Sequence, residues 1–225
     1  MIQRTRKNII HAFNQLIKNH DIEQISVEMI IRKAAISKAT FYRYFNDKYS
    51  VMNANYKELL DYYAAPENCR SYLELYELLY KHGIRNWKFL QRAFNTTGYN
   101  SFCRFISEYS TNLIVQITML NRGGAGLTET EKLQCDVFCI GVSFMYRNWI
   151  FEKYPLSPAE AAQALYEIMP ATLRDYWWIT DAAASDSRCR AVFLCFHNLN
   201  RILCHILILV NQKCIQYRMR SVLQG

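Results

Sequence analysis

Glycine and proline are scarce in this sequence, which has seven glycines and four prolines in 225 residues. Both residues interrupt helices, and the first glycine of the chain is Gly83. Because 51% of the residues are hydrophobic, the chain can form a sizeable core. These features exclude a low-complexity or fibrous protein and favour a folded, mainly helical one.

Long apolar runs are also lacking. The most apolar region, residues 191–210, is interrupted by five polar residues, which are His197, Asn198, Asn200, Arg201 and His205. A membrane helix needs about 18 or more uninterrupted apolar residues, so we expect no membrane span. No signal-peptide pattern opens the chain, and eight cysteines are unusual for a disulfide framework in a chain of this size. We therefore expect a cytoplasmic protein.

Acidic residues are few at both ends of the chain. Residues 1–48 contain nine Lys or Arg against four Asp or Glu, a net charge of +5. Residues 49–182 contain twelve against fourteen, and residues 183–225 contain six against one. The basic N-terminal segment suits a polyanion such as DNA, and a solvated basic face without a partner is the alternative.

Apolar residues recur at three- and four-residue spacing over residues 6–20, which predicts a first helix. Ser26 is the predicted N-cap of a short second helix, and Ser37 is that of a third. Phe41 and Phe45 lie one turn apart in the third helix, so we expect both to be buried. Two short helices joined by a tight turn form a helix-turn-helix.

The rest of the chain keeps helical periodicity. Asn46 or Asp47 is expected to cap a fourth helix. Further helices are predicted over residues 72–80, 87–93 and 102–120, from Thr128 or Thr130 onward, and from Ser157, with Pro158 at the first helical position, to about Tyr176. We therefore predict an all-α fold.

Residues 37–48, SKATFYRYFNDK, combine two buried aromatic residues with an exposed polar face. That face displays small, hydroxyl-bearing, aromatic and cationic groups, which are Lys38, Ala39, Thr40, Tyr42, Arg43 and Tyr44. Such groups suit phosphates and the base edges of a major groove. Arg43 could form two hydrogen bonds to a guanine, and Thr40 could contact a thymine methyl. Lys48, near the start of the next helix, could bind a phosphate together with backbone amides.

The segment resembles the DNA-binding head of the TetR family, which has a helix, a short helix, a tight turn and a recognition helix with Tyr-x-x-Phe near its end. Here the pattern reads ISVEMIIRKAAISKATFYRYFNDK, and the resemblance covers residues 4–60. The family usually has glycine where Ala35 stands. A turn with positive φ is slightly strained with alanine there, unless the turn avoids that conformation.

The resemblance implies DNA contacts by Ser26, at the start of the second helix, and by the recognition region. The recognition-region residues are Lys38, Ala39, Thr40, Tyr42, Arg43, Tyr44 and Lys48. We expect Tyr42, Tyr44 and Lys48 to contact mainly phosphate. Packing within the head is the alternative for each tyrosine.

We expect three parts in the chain, of which the resemblance implies the first two and the changed composition the third, and the resemblance also implies three partners. The parts are a three-helix helix-turn-helix DNA-binding domain at residues 1–48, a larger helical ligand-binding and dimerisation domain at 49–181, and an atypical basic, Cys-rich tail at 182–225. The partners are double-stranded operator DNA, an unknown small-molecule effector and a second copy of the chain, as a homodimer. In TetR-like proteins the last two helices form a four-helix bundle between subunits, here roughly residues 129–153 and 157–176.

The larger domain also has a fainter likeness, in KFLQRAFNTTGYNSFCRFI, to the branch related to a dihydroxyacetone-kinase operon activator. Eight aromatic residues of this domain are candidates either for an apolar effector pocket or for ordinary core. They are Tyr76, Tyr80, Trp87, Phe102, Phe105, Phe144, Tyr146 and Trp149. The ligand-binding residues stay unknown at this point.

No metal site, cofactor or catalytic site is predicted. Cys135 and Cys139 lie one helical turn apart, and Cys195 and His197 lie two residues apart, but neither pair matches a zinc-ligand pattern. A cysteine enzyme needs a base beside its thiol, and the spacing of the five histidines identifies none. We therefore expect the protein not to be an enzyme.

The tail at residues 182–225 contains half of the cysteines and one acidic residue. Three interpretations stay open: an amphipathic helix that adds to packing or dimerisation, a membrane-surface element, and sequence that is not under selection, such as translation past a shifted frame.

From the sequence we expect a ligand-responsive dimeric DNA-binding transcriptional regulator, a bacterial repressor whose effector moves the two recognition helices out of register with the DNA. The alternative is a ligand-sensing coactivator of the same fold that acts through a protein partner. The basic face of Lys38, Arg43 and Lys48 favours the first, because a head that no longer binds DNA does not need it.

Overall fold

The structure is a computed structural model that describes residues 2–65, 67–98, 101–174 and 176. The described part is all-α, as predicted. Its helices are α1 (Ile2–Leu16), α2 (Val27–Ala34), α3 (Lys38–Tyr44), α4 (Lys48–Ala64), α5 (Tyr72–Arg85), α6 (Trp87–Phe94), α7 (Phe102–Asn121), α8 (Glu129–Ile150), α9 (Pro158–Ile168) and α10 (Ala171–Arg174), with a 3-10 turn at Ile22–Gln24. The predicted tail at 182–225 lies outside the described residues.

Side-chain caps begin most of these helices, because the first backbone N–H groups of a helix have no partner within it. The predicted caps Ser26, Ser37 and Ser157 are confirmed. Where the sequence left two candidates, Asp47 caps α4 and Thr128 caps α8. The helix starts are therefore encoded locally.

Some predicted helix bounds were wrong. The first helix was expected over residues 6–20 but runs from Ile2 to Leu16. The polar residues at positions 18–21 cannot continue its buried face. The last helix was expected to reach Tyr176, yet α9 ends at Ile168. Met169 is extended because it precedes Pro170, and a separate turn, α10, follows the proline.

The head has its own apolar core beneath the helix-turn-helix. α1 packs against α2 and α4, and α2 packs against α3. Ile9 and Phe13 of α1 and Ile30 of α2 are fully buried, together with Phe41 of α3. This core fixes the angle at which α3 lies across the head.

The body is formed by pairwise helix packing, in which α8 lies on α7, α9 lies on α5, and α6 contacts α7 and α8. Gly83 allows α5 to approach α8 closely. A β-carbon at this position would lie 2.9 Å from the Tyr146 hydroxyl and 3.2 Å from side-chain atoms of Trp149 and Ile150. This role could not be predicted from the sequence, since the contact joins residues more than sixty positions apart.

Polar contacts tie the head to the body. On α6, Arg92 donates to the Ile17 carbonyl at the end of α1 and forms an ion pair with Asp21 at 3.0 Å. On α4, Asp61 accepts hydrogen bonds from Lys57 and from Tyr109 of α7. Burial beside the Asp61 carboxylate raises the pKa of Tyr109 well above its usual range. The position of the head therefore depends on α4 and α6.

Candidate nucleic-acid interface

Two serine caps and one left-handed residue shape the helix-turn-helix. The Ser26 hydroxyl accepts the Met29 N–H at 3.2 Å, and the Ser37 hydroxyl accepts the Thr40 N–H at 3.1 Å. Between them Ala35 has φ 52° and ψ 49°, so the turn uses the conformation that favours glycine. Of the two possibilities considered from the sequence, the structure has the turn with positive φ, in which alanine is slightly strained.

Helix α3 is anchored on one side and exposed on the other. Phe41 and Phe45 are buried, as predicted, and their rings lie 6.1 Å apart. Of the six predicted contact residues on α3, four are exposed and two are half-buried; the exposed ones are Lys38, Ala39, Tyr42 and Arg43, and the half-buried ones are Thr40 and Tyr44. The anchor holds α3 so that these groups share one accessible surface, which we call the α3 face.

Polar groups at the start of α3 organise this face. The Thr40 and Ser37 hydroxyls lie 2.9 Å apart, and the Arg43 guanidinium lies 3.5 Å from the Thr40 hydroxyl. One weak contact leaves most of the five N–H donors of Arg43 available for a ligand. An arginine held in this way can present two parallel donors to a guanine.

Tyr42 is the most solvent-exposed aromatic residue of the α3 face, with 47% of its surface accessible. Its ring packs edge-on against Phe41 at 5.4 Å, which fixes its direction. Within the described part of the chain its hydroxyl has no hydrogen-bond partner, so the alternative of packing within the head is not favoured for Tyr42.

Lys48 lies differently from the rest of the predicted set. Its ammonium donates to the carbonyls of Ile22 at 2.6 Å and Glu23 at 3.1 Å, and its side chain is only 15% exposed. Glu23 also accepts from the Tyr49 hydroxyl at 2.9 Å. Burial and this carboxylate raise the pKa of Tyr49 to about 12. The start of α4 is thus bound to the 3-10 turn, and two donors of Lys48 are already used.

Two cations of the head form ion pairs within the protein, Arg6 with Glu58 and Lys48 with Glu23. Among the described residues, no carboxylate lies within ion-pair distance of Lys38 or Arg43. Because their charge is not neutralised within the protein, it is available to attract a polyanion. This agrees with the net charge of +5 over residues 1–48.

A cavity of about 50 Å³ lies inside the body. Five tyrosines and two serines provide its polar groups, and the other lining residues are aliphatic or Phe138; the polar residues are Tyr56, Tyr72, Tyr76, Tyr80, Ser110, Ser143 and Tyr146. Burial raises the pKa of Tyr56, Tyr76 and Tyr146 well above the usual range of tyrosine, so these hydroxyls stay neutral. No charged side chain lines the cavity.

Of the eight aromatic residues singled out from the sequence, Tyr76, Tyr80 and Tyr146 line this cavity. Trp87 and Phe144 are exposed instead. The sequence did not identify Tyr56, which lines the cavity from α4, the helix that begins in the head. Its place follows from packing between distant helices, which periodicity within one helix does not reveal.

Two further properties bear on other classes of function. In the parts of the chain that are described, His, Cys, Asp and Glu form no group of three or more that could hold a metal. None of the described helices combines the length and hydropathy needed to cross a membrane.

The chain matches one protein-family model in sequence and several solved structures in fold. Residues 9–54 match the family model described as bacterial regulatory proteins, tetR family. No curated protein matches the sequence.

Two solved structures illustrate the fold. The dihydroxyacetone kinase operon activator DhaS superposes with a TM-score of 0.51 and 22% identity, over 77% of this chain and 98% of its own. A TetR transcriptional regulator from Rhodococcus sp. RHA1 superposes with a TM-score of 0.53 and 13% identity, over 76% of this chain and 99% of its own. These likenesses establish the fold.

Proposed function

We propose that the chain is a TetR-family regulator that binds operator DNA as a homodimer and represses transcription until an effector releases it. The match of residues 9–54 to the tetR family model and the helical fold support this proposal. The α3 face carries the proposal. Buried Phe41 and Phe45 hold the helix, and unpaired Lys38 and Arg43 project from its other side. A head that acted only through a protein partner would not need these free cations.

Each residue of the interface has a role set by its chemistry. Arg43 reads a guanine and Thr40 contacts a thymine methyl. Phosphates are held by Lys38 and by Tyr42 and Tyr44, with Ala39 allowing close approach and Ser26 marking the backbone contact at the start of α2. Lys48 meets a phosphate with its third N–H, while its other two stay on the carbonyls of the 3-10 turn.

The homodimer is supported by an uncovered apolar stripe on α8. Leu133, Val137, Ile140 and Phe144 are between 51% and 64% exposed and recur at four-, three- and four-residue spacing, so they share one face. Ile168 of α9 is 65% exposed as well. Monomeric soluble proteins rarely expose a contiguous apolar patch of this kind, and a second copy of the same face covers it by two-fold symmetry.

Dimer geometry supplies the regulatory mechanism. Two recognition helices bind successive major grooves when they lie about 34 to 36 Å apart. An effector in the body cavity releases DNA if it binds better to a state with a different spacing. The lining favours a small, neutral, mainly apolar effector with one or two hydrogen-bonding groups, because it offers hydroxyls and no charge. The cavity of about 50 Å³ must widen to admit it, since ligand pockets are about 300 Å³ or more.

The test is binding of the purified protein to its own upstream DNA in competition with random duplex of equal length. We expect Arg43→Ala and Thr40→Ala each to weaken binding to the specific site by about 1 to 3 kcal/mol and to leave random DNA less affected. Equal losses on both DNAs would show that these side chains do not read bases.

A further inference from the structure

A second basic surface adjoins the α3 face. A groove of about 490 Å³ lies between the first half of α1 and the turn that joins α2 to α3. It is lined by Arg4, Thr5, Lys7, Asn8, His11, Ala34, Ala35 and Ile36, and we call it the α1 groove. Eight lining residues include two full cations, a histidine and no acid.

The α1 groove has a defined position relative to α3. The Asn8 side-chain amide donates to the Ala34 carbonyl at 2.8 Å, which ties α1 to the end of α2. The groove ends at Ile36, directly before Ser37, the cap of α3. It therefore borders the end of the recognition helix at which the contact residues begin.

The charge in the groove is not used by the protein itself. Arg4 and Lys7 are exposed, and within the described ranges no carboxylate lies at ion-pair distance from either. The neighbouring Arg6 differs, since it pairs with Glu58 of α4. The fifteen residues of α1 contain no Asp or Glu. On α1, Arg6 therefore pairs with a carboxylate of the protein, whereas Arg4 and Lys7 have no such ion pair among the described residues.

We propose that the α1 groove holds the sugar-phosphate backbone that flanks the bases read by α3, with Arg4 and Lys7 bound to neighbouring phosphates. Arg4 and Lys7 are three residues apart and lie on one face of the helix. A DNA strand presents a phosphate about every 3.4 Å along the duplex axis, so adjacent cations can meet adjacent phosphates. This inference rests on the proposed function, because duplex DNA must first be seated on α3.

The experiment measures binding of the full chain to its upstream DNA and to random duplex over a range of salt concentrations. For the double variant Arg4→Ala/Lys7→Ala we expect similar fold-losses of affinity on both DNAs. The plot of log K against log salt should become shallower by about 2 per subunit, and so by about 4 per dimer. Both side chains are exposed, and thermal unfolding checks that the variant is folded as stably as the parent chain.

Lys18→Ala is the matched control. Lys18 is also exposed, but it lies eleven residues after Lys7, beyond the end of α1, and it does not line the groove. Its removal should leave the salt slope unchanged. A double variant whose slope equals that of Lys18→Ala overturns the inference, and so does a loss confined to the specific site. If an acidic protein occupies the groove instead of DNA, the double variant will show the same slope as Lys18→Ala.

The same assay separates this inference from the proposed function. If the parent chain does not prefer its upstream DNA to random duplex, the proposed operator function fails, while a shallower slope of the double variant on random duplex still supports the groove. If the parent chain binds neither DNA, both are overturned. If Arg43→Ala alters the preference and the double variant leaves the slope intact, the groove alone is wrong.

Discussion

Ala35 carries the left-handed conformation of the turn between α2 and α3. A side chain in this region costs about 1 to 2 kcal/mol, and glycine avoids that cost while losing more chain entropy on folding. We expect Ala35→Gly to raise the free energy of unfolding by about 0.5 to 1 kcal/mol, measured by urea denaturation. The same substitution within α3, Ala39→Gly, should lower it by about 1 kcal/mol. Changes of equal sign would contradict the role of the turn.

Lys48 combines an internal role with the proposed phosphate contact. Lys48→Ala removes the donor from the Ile22 and Glu23 carbonyls, so the free energy of unfolding should fall by about 1 to 2 kcal/mol. In DNA binding, below the unfolding transition, we expect the salt slope to become shallower by about 2 per dimer. A changed stability with an unchanged slope would mean that Lys48 serves only the head.

Tyr42→Phe is the uncharged counterpart of that change. The phenol hydroxyl donates to a phosphate without releasing a counterion. We therefore expect lower affinity on specific and random DNA with the salt slope preserved. The comparison separates hydrogen bonding from charge at the same interface.

At the scale of elements, an ion pair joins the α7–α8 connection to α8. Arg122 donates to both carboxylate oxygens of Glu131, at 2.6 and 3.0 Å. Its guanidinium carbon also lies over the ring of Tyr176, 4.6 Å from the ring centroid. Glu131 also accepts the Thr128 N–H in the capping box of α8. The Arg122 guanidinium and this N–H hold the pKa of the Glu131 carboxyl at about 2.

The depressed pKa predicts how stability depends on pH. The ionised Glu131 stabilises the fold above its unfolded-state pKa of about 4.3 to 4.5, and the contribution declines as the pH falls towards 2. Thermal melts should therefore show a stability gap between the parent chain and Glu131→Gln that is constant above about pH 5.5 and closes between 4.5 and 2. Glu129→Gln is the control, because the ion pair of Glu129 is with exposed Lys132 and its loss should change stability little. A gap that does not narrow in acid would refute this account.

At the scale of the whole molecule, the apolar stripe of α8 decides whether two recognition helices act together. We expect the parent chain to sediment as a dimer at micromolar concentration, and Phe144→Glu to shift it to monomer, since a charge would be buried at the interface. Ile84→Glu should leave the dimer intact, because Ile84 is 54% exposed on α5, outside the stripe. A monomeric parent chain contradicts the dimer.

Much of the fold could be predicted because its signals are local. Ser26, Ser37 and Ser157 begin helices through hydrogen bonds to backbone groups three residues away, and the spacing of Phe41 and Phe45 places both on one helical face. The end of α9 was missed although its signal, Pro170, was present in the sequence.

The candidate site divides in the same way. The residue types on α3 and their common face could be predicted from helical periodicity alone. Three features of the site come from the folded chain instead: Lys48 is held by the carbonyls of the 3-10 turn, Arg4 and Lys7 border a groove beside the turn between α2 and α3, and Tyr56 lines a cavity in the body. Each of these depends on contacts between residues far apart in the chain, and such contacts arise from how helices pack.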